Sequence, residues 1–537
     1  MSTIPTLIRL ILRRDRVRLP VWIICIVMFL VMMVPVIQQS LGGTRTLDDL
    51  YTQFSANPSI RFLVGPMDSA SFGSAFTIKT LLWWGIAVAI MNILLVVRHT
   101  RANEDSGAQE ILLSTHVRRG ADLVSVLLVA GASNLVIAVG TGVGLSWATS
   151  EISCEQGWLF GIGLGLTGCF WAVLGGLIAQ LVSSARRAYA VASFVVGAAF
   201  VLRGMGDFFG TTTAAGRPQS HWVSFLSPFG WLQATRPLTY PAWWPLSIFV
   251  CAIFLALIFA FWLVSIREVG SGFFPERSGR PRATRLGRTA FGLTLVLHRS
   301  VWLSWTLGTV ALMVVIGAIS HSMTSVYSSS EALKRIIESL GGGGALIPAF
   351  LSAMLTVAVF MLLAYAIQAM GRLSTEEASG HTVNLLTASV GRWRWYALHV
   401  IVVVLGCAIA LILCGLDLGI SVDVVGGSNH TGEYVVAALS YVPLLLVFIS
   451  GYALMFGALP RIAGVVVWAY FIFILGCAWF GSLLKFPNWI VDLSLMHYVS
   501  AAPAEPIHAS PILVFVIIAG TFFVCGGAAW RYRDIQQ

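Results

Sequence analysis

Two polar stretches hold the residues whose types and spacing are suited to work. Glu104-Asp-Ser-Gly-Ala-Gln-Glu-Ile-Leu-Leu-Ser-Thr-His-Val-Arg-Arg119 aligns without a gap on Glu377-Ala-Ser-Gly-His-Thr-Val-Asn-Leu-Leu-Thr-Ala-Ser-Val-Gly-Arg392, with seven of sixteen positions identical. Each opens on an acid and closes on Arg, the order that suits the dipole of a short helix. Gly107 and Gly380 supply a turn. Leu112-Leu113 and Leu385-Leu386 supply an apolar face on which a partner can sit, and Glu104 and Glu377 suit polar contact or helix capping. A single copy fits equally well an amphipathic helix lying on lipid headgroups. Two copies favour attachment of a twofold partner.

Bond-making chemistry finds no footing elsewhere. A phosphate-cradling loop requires Gly-x4-Gly-Lys-Ser/Thr, and the nearest approach, Gly73 to Lys79-Thr80, has Ile78 in place of the second glycine. Gly163-Leu-Gly-Leu-Thr-Gly168 spells a dinucleotide pattern inside an apolar run, where close helix packing by small residues is its reading. Asp48-Asp49 reads as solvated surface. The eight cysteines show no CxxC spacing and all but Cys154 fall in apolar runs, so they read as packing residues rather than disulfides or metal ligands. No catalytic, cofactor or metal residue is therefore assigned. If the chain belongs to an ATP-driven machine, ATP and Mg are bound by another polypeptide.

The elements that must position the two stretches are membrane helices. Of 537 residues, 57% are hydrophobic and 10% charged, and the mean hydropathy is +0.85. A soluble fold of that make-up would expose most of its apolar side chains. Spans are expected at about 20–37, 80–97, 123–148, 158–182, 189–209, 243–266, 301–320, 349–370, 397–421, 435–458, 462–484 and 511–530. The fold class is thus all-α integral membrane, with about twelve transmembrane helices as two tandem six-helix halves.

The net charge of +10 is no nucleic-acid footprint, because the Arg residues sit in short loops rather than on one soluble face. They set orientation instead: 24 of the 33 basic residues lie on the side that holds both termini and both repeated stretches, which makes that side cytoplasmic. The expected domains are 1–266, a first six-span half with an N-terminal amphipathic helix; 267–300, an Arg-rich cytoplasmic linker; and 301–537, the second half. Ile4, Leu7, Ile8 and Ile11 fall on one face of that N-terminal helix, and Arg9, Arg13 and Arg16 on another. Further landmarks recur in order: Arg16 with Trp22 and Arg299 with Trp305, Arg187 and Arg461, Leu226-Ser227 and Leu493-Ser494. A tandem duplication explains them, and an even number of spans per half gives both halves the same topology.

The sequence resembles the permeases of type-two ABC exporters, whose first cytoplasmic loop carries Arg, an acidic pair, Gly, Leu-Leu and a closing Arg. Arg98, Arg101, Glu104, Gly107, Leu112, Leu113 and Arg119 fit that pattern, and so do Arg372, Glu376, Glu377, Gly380, Leu385, Leu386 and Arg392. The fused twelve-span form looks most like actinobacterial exporters of polyketide antibiotics of the tetronasin-resistance type. Ser227-Pro-Phe-Gly-Trp231 also resembles a family motif ahead of the sixth span; Leu495 replaces its proline in the second half.

The resemblance implies that the two stretches are coupling helices, docked by two copies of a separate ABC ATPase, with membrane lipids and a hydrophobic small molecule as the other partners. It also implies a bacterial plasma membrane location with both termini cytoplasmic. Hydrophobic antibiotics lead as cargo, with an envelope lipid or glycolipid as the alternative. The rival from another class is an ion-coupled carrier. It is disfavoured because the acids near apolar runs (Asp207, Asp417, Asp423) cluster toward the external ends, leaving Asn92, Gln180 and Gln368 as the deeper polar groups. Arg203 and Asp207, four residues apart, are expected to pair. No substrate-binding residue is assigned.

Overall fold

A computed structural model describes residues 3–41, 47–48, 50–52, 54, 58–113, 119–212, 218–268, 270–274, 284, 286–329, 346–387, 390–426, 431–480 and 487–534. The chain divides into two compact units, Met1–Gly279 and Arg280–Gln537. The first runs α1 (Thr3–Arg14), α2 (Arg18–Ser40), α3 (Pro58–Val64), α4 (Phe72–His99), α5 (Arg101–Asp105), α6 (Ala108–Leu113), α7 (Ala121–Ala148), α8 (Cys154–Leu181), α9 (Ala185–Phe208), α10 (Pro228–Ala234) and α11 (Trp244–Ile266). A two-residue ribbon, Thr211–Thr212 with Pro218–Gln219, interrupts the helices between α9 and α10. The second runs α12 (Ala290–Ser329), α13 (Leu346–Ala378), α14 (His381–Thr387), α15 (Arg392–Gly426), α16 (Thr431–Leu439), α17 (Val442–Ala458), α18 (Ala463–Phe480), α19 (Asn488–Asp492) and α20 (Ala509–Tyr532).

Among the described residues, ten helical segments are long and apolar enough to cross a membrane. A helix is the form such runs must take in hydrocarbon, because it satisfies every backbone group internally. The ten coincide with ten of the expected spans. The other two expectations meet different outcomes. The span at 301–320 lies within the 40-residue α12, which starts eleven residues earlier than expected. The span at 462–484 falls on α18, whose described apolar part, Ala463–Ala478, is shorter than a crossing, and residues 481–486 lie outside the described set. The expected external turn Gly341–Gly344 lies outside it too.

In the first unit α7 and α8 approach closely along a stripe of glycines. A Cβ at Gly161 would lie 2.2 Å from the Ala138 carbonyl oxygen, and one at Gly168 would lie 2.1 Å from Asn134 Oδ1. The glycine pattern at 163–168 thus serves helix packing. Asn134 and Asn92 exchange amide hydrogen bonds of 2.9 and 3.0 Å in the buried interior, joining α7 to α4 with neutral groups. The N-terminal α1 does turn one face inward: Leu7 and Ile11 are buried, Ile11 in a cluster with Leu95, Leu123 and Val126, while Arg9 and Arg13 stay exposed.

The expected linker begins as part of the first unit. Phe273 and Phe274 donate backbone hydrogen bonds to the carbonyls of Gln180 and Leu181, 3.1 and 3.0 Å away, which seals the chain after α11 onto the end of α8. Residues 275–283 and 285 lie outside the described set. In the second unit α12 is tied to its neighbours by polar contacts: His298 Nε2 to His399 Nδ1 at 2.9 Å, Trp302 Nε1 to the Gly406 carbonyl at 2.9 Å, and Trp305 Nε1 to Gln368 Oε1 at 2.6 Å. Two buried histidines thus join α12 to α15, at the starts of the spans expected at 301–320 and 397–421.

Candidate functional site

Both repeated stretches fold as helix, left-handed glycine, short helix. In the first, α4 ends at His99, Thr100 breaks the helix with φ −110° and ψ −88°, and α5 carries Arg101 to Asp105. Gly107 then adopts φ +73° and its N–H caps the Glu104 carbonyl at 3.0 Å. In the second, α13 continues unbroken to Ala378, Gly380 adopts φ +74°, and its N–H caps the Glu377 carbonyl at 2.9 Å. A side chain in this conformation crowds its own backbone, at about 1–2 kcal/mol, while a Cβ at either glycine would meet nothing within 4 Å. The penalty for substitution is thus conformational alone. Gly107→Val with Gly380→Val is expected to lower export with membrane abundance unchanged, whereas Asn, which tolerates this region, keeps most of it. Equal export by the Val and Asn variants would show that the turns are dispensable.

The opening glutamates of the two stretches, Glu104 and Glu377, do not face outward. Glu104 is nearly buried between two guanidinium groups: Arg101 Nη1 donates to its Oε2 at 2.5 Å, and Arg267 donates from Nη1 to Oε2 at 2.8 Å and from Nη2 to Oε1. Arg101, itself 1% exposed, also donates to the carbonyls of Ser183, Gly270 and Ser271. Asp105 accepts from the Ala185 N–H at 2.6 Å, at the first residue of α9. The stretch is therefore locked to the ends of α8, α9 and α11.

The second unit repeats the central contact. Arg533 Nη2 donates to both oxygens of Glu377, 2.7 and 2.6 Å away, and its guanidinium lies over Trp530 and Phe456. Arg267 caps the C-terminus of α11 and Arg533 that of α20, the last long helices of their units. In each unit, then, a glutamate of the repeated stretch is clamped to the Arg that ends the final long helix. Arg392 reinforces the second clamp by donating to the carbonyls of Arg531 and Arg533 at 3.2 and 2.8 Å, where a cation meets the carbonyl end of a helix. Glu376 turns aside to Arg372 at 2.9 Å and His381 at 3.3 Å.

The leucines divide. Leu385 packs against the core of its own unit, and Leu386 is half-buried. The side chains of Leu112 and Leu113 lie outside the described residues, although the backbone of both belongs to α6. Arg119 is exposed just before Gly120, where the chain turns with φ +82° into α7. Among the described residues, those open to solvent include Ser106, Glu110 and Arg119 in the first stretch and His381, Asn384 and Thr387 in the second. Arg267 and Arg533, the partners in both clamps, are the residues that reading the sequence misses. The signal available is that each sixth expected span is followed by Arg and then an acid, Arg267-Glu268 and Arg533-Asp534.

Comparison with known proteins bears on the whole chain. A family model described as the C-terminal domain of multidrug efflux system permease Rv1217c matches residues 6–263 and 288–531. The multidrug efflux system permease protein Rv1217c of Mycobacterium tuberculosis (strain ATCC 25618 / H37Rv) is 31% identical over 542 residues, covering 99% of this chain and 95% of that protein. With nearly the entire length matched, the chain belongs to the Rv1217c family of multidrug efflux system permeases.

Proposed function

We propose that the chain is the complete transmembrane part of an ATP-driven ABC exporter of hydrophobic antibiotics, of the fused, twelve-span tetronasin-resistance type. Two six-span halves with the same topology each present one coupling segment to a copy of a separate ATPase. Both termini lie in the cytoplasm of a bacterial cell. The observation that carries this reading is the repeated clamp, Glu104 on Arg267 and Glu377 on Arg533. A segment that only connected two spans could be a few residues long and would not need to be fastened, twice, to the end of a distant helix. Fastened so, it can transmit a pull from outside the bilayer to the last helix of its half.

In this assignment Arg101, Glu104, Glu376, Glu377 and Arg392 hold the segments rigid. Ser106, Glu110 and Arg119 of the first stretch and His381, Asn384 and Thr387 of the second meet the motor, together with Leu112, Leu113 and Leu386, while Leu385 anchors its segment to its own unit. The test is affinity purification of the permease from its native membrane in mild detergent. An ABC ATPase is expected to accompany it at two copies per permease, and substituting Glu110 and Asn384 by Arg is expected to release it. Recovery of the permease alone would overturn the reading. The buried pair His298 and His399 is the observation that favours an ion-coupled carrier. Transport by the permease alone, in liposomes with an imposed ion gradient, would establish that reading in place of the first.

A further inference from the structure

The geometry points to a binding site for uncharged, oxygen-bearing lipophiles in the first unit, at the ends of α4 and α11 opposite the Glu104–Arg267 clamp. It rests on the export reading and adds to it a place and a substrate class. The cavity there is about 310 Å3, at the lower end of the range for drug-sized ligands. Its apolar wall is made by Leu81 near the start of α4, Phe229 of α10 and Trp244 at the start of α11. Gln219, Ser220 and Gln233 supply hydrogen-bonding groups on the remaining side.

The substrate class follows from the charges. Asp68 and Arg236 also line the cavity, and they face each other, Arg236 Nε 3.4 Å from Asp68 Oδ1. Thr239 donates to the other carboxylate oxygen at 3.2 Å, and Arg236 Nη2 donates to the Pro218 carbonyl at 3.2 Å. The pair cancels, so a charged ligand would lose water without gaining a counter-charge. A neutral molecule loses far less. Its carbonyl oxygens can accept from the Gln219 amide and its hydroxyls can donate to Ser220 Oγ, whose own hydrogen goes to Asp207, while its body lies on the aromatic rings.

The wall is preformed, which lowers the cost of binding. Asp207 of α9, buried and paired with Arg203, accepts from Ser220 Oγ at 2.5 Å and from Gln233 Nε2 at 3.1 Å, so two lining groups are anchored from behind. The backbone is equally close: a Cβ at Gly230 would lie 1.9 Å from the Ser224 carbonyl oxygen.

The cavity is also mechanically linked to the clamp. Helix α4 has 28 residues and α11 has 23, so at 1.5 Å per residue they span about 42 and 34 Å. Helix α4 contributes wall residues in its second and third turns and α11 one at its first residue, and the clamp joins residues just beyond their last turns. A displacement at the clamp therefore moves two walls of the cavity.

The test uses the full-length permease, purified without any ATPase and held in lipid nanodiscs. The probes are Nile red (uncharged), 8-anilinonaphthalene-1-sulfonate (anionic) and ethidium (cationic), and empty nanodiscs correct for partition. Saturable binding is expected for Nile red alone. Asp68→Asn is expected to shift preference toward the anionic dye by roughly tenfold, the scale of one hydrogen bond to a charged group, and Arg236→Gln toward ethidium. Trp244→Ala, at an exposed ring, weakens Nile red without disturbing the buried anchors. Absence of saturable Nile red binding, or binding indifferent to all three substitutions in protein that elutes as a single species, would overturn the site. Binding with no ATPase recovered from the native membrane would leave the site standing and remove the export reading. An ATPase recovered without binding would do the reverse.

Discussion

Glu104→Arg combined with Glu377→Arg is expected to leave the permease in the membrane and abolish drug export. Each carboxylate is nearly buried and meets at least one guanidinium within 3 Å, so reversal puts like charges where opposite ones stood. Breaking a buried pair costs about 3–5 kcal/mol. That is enough to detach each segment from its last helix and to depress export by about a hundredfold or more, at tenfold per roughly 1.4 kcal/mol. The readouts are drug susceptibility, membrane abundance by immunoblot, and ATP hydrolysis by the partner, which is expected to continue without stimulation by drug.

Charge swaps sharpen the expectation. Adding Arg533→Glu to Glu377→Arg restores a one-to-one pair, and export recovers. Adding Arg267→Glu to Glu104→Arg recovers less, because Arg101 remains beside the reversed position with its own bonds to three carbonyls. Full export by the double reversal would show that the clamps carry no force.

The helices and the glycine turns were legible because their signals are local. An apolar run of about 20 residues has few options in a bilayer, and a glycine after an acidic helix end predicts a left-handed cap. The clamps were not legible, because Glu104 and Arg267 are 163 residues apart and Glu377 and Arg533 are 156 apart. No periodicity connects such pairs, and both arginines pass as ordinary orientation signals at the inner ends of spans. Extending the repeat beyond the sixth span of each half exposes them. The leucines teach a different lesson. Adjacent residues on a helix point about 100° apart, so Leu385 and Leu386 cannot share one role; Leu385 turns to its own core. The Arg-rich stretch 267–300 holds the boundary between the two compact units, at Gly279 and Arg280, and its composition gave no sign that the backbone of Phe273 and Phe274 is bonded to the end of α8.

The second large effect is expected at the opposite end of the first unit, where Arg203 and Asp207 read correctly as a pair. Both are essentially inaccessible, at 0% and 1% exposure, and they join at 2.9 Å one turn apart on α9. Arg203 Nη2 also donates to the carbonyls of Phe62 and Leu63, at 2.7 and 3.2 Å, which fixes the end of α3 against α9. Asp207→Leu leaves a guanidinium with carbonyl partners but no counter-charge, so a loss of about 3–5 kcal/mol is expected.

Arg203→Leu is expected to cost about as much, because Asp207 then keeps only Ser220 and Gln233 as donors. The double substitution removes both charges at once and is expected to cost clearly less than the sum of the two, as for neighbours that interact. Thermal melting of the purified permease measures all three. Each single variant is expected to melt roughly 10 °C lower, at about 2–4 °C per kcal/mol, with the double variant falling short of the additive value. Strict additivity would mean that the two groups stabilise the fold independently. The walls of the cavity would then rest on the carbonyl contacts of Arg203 rather than on its charge.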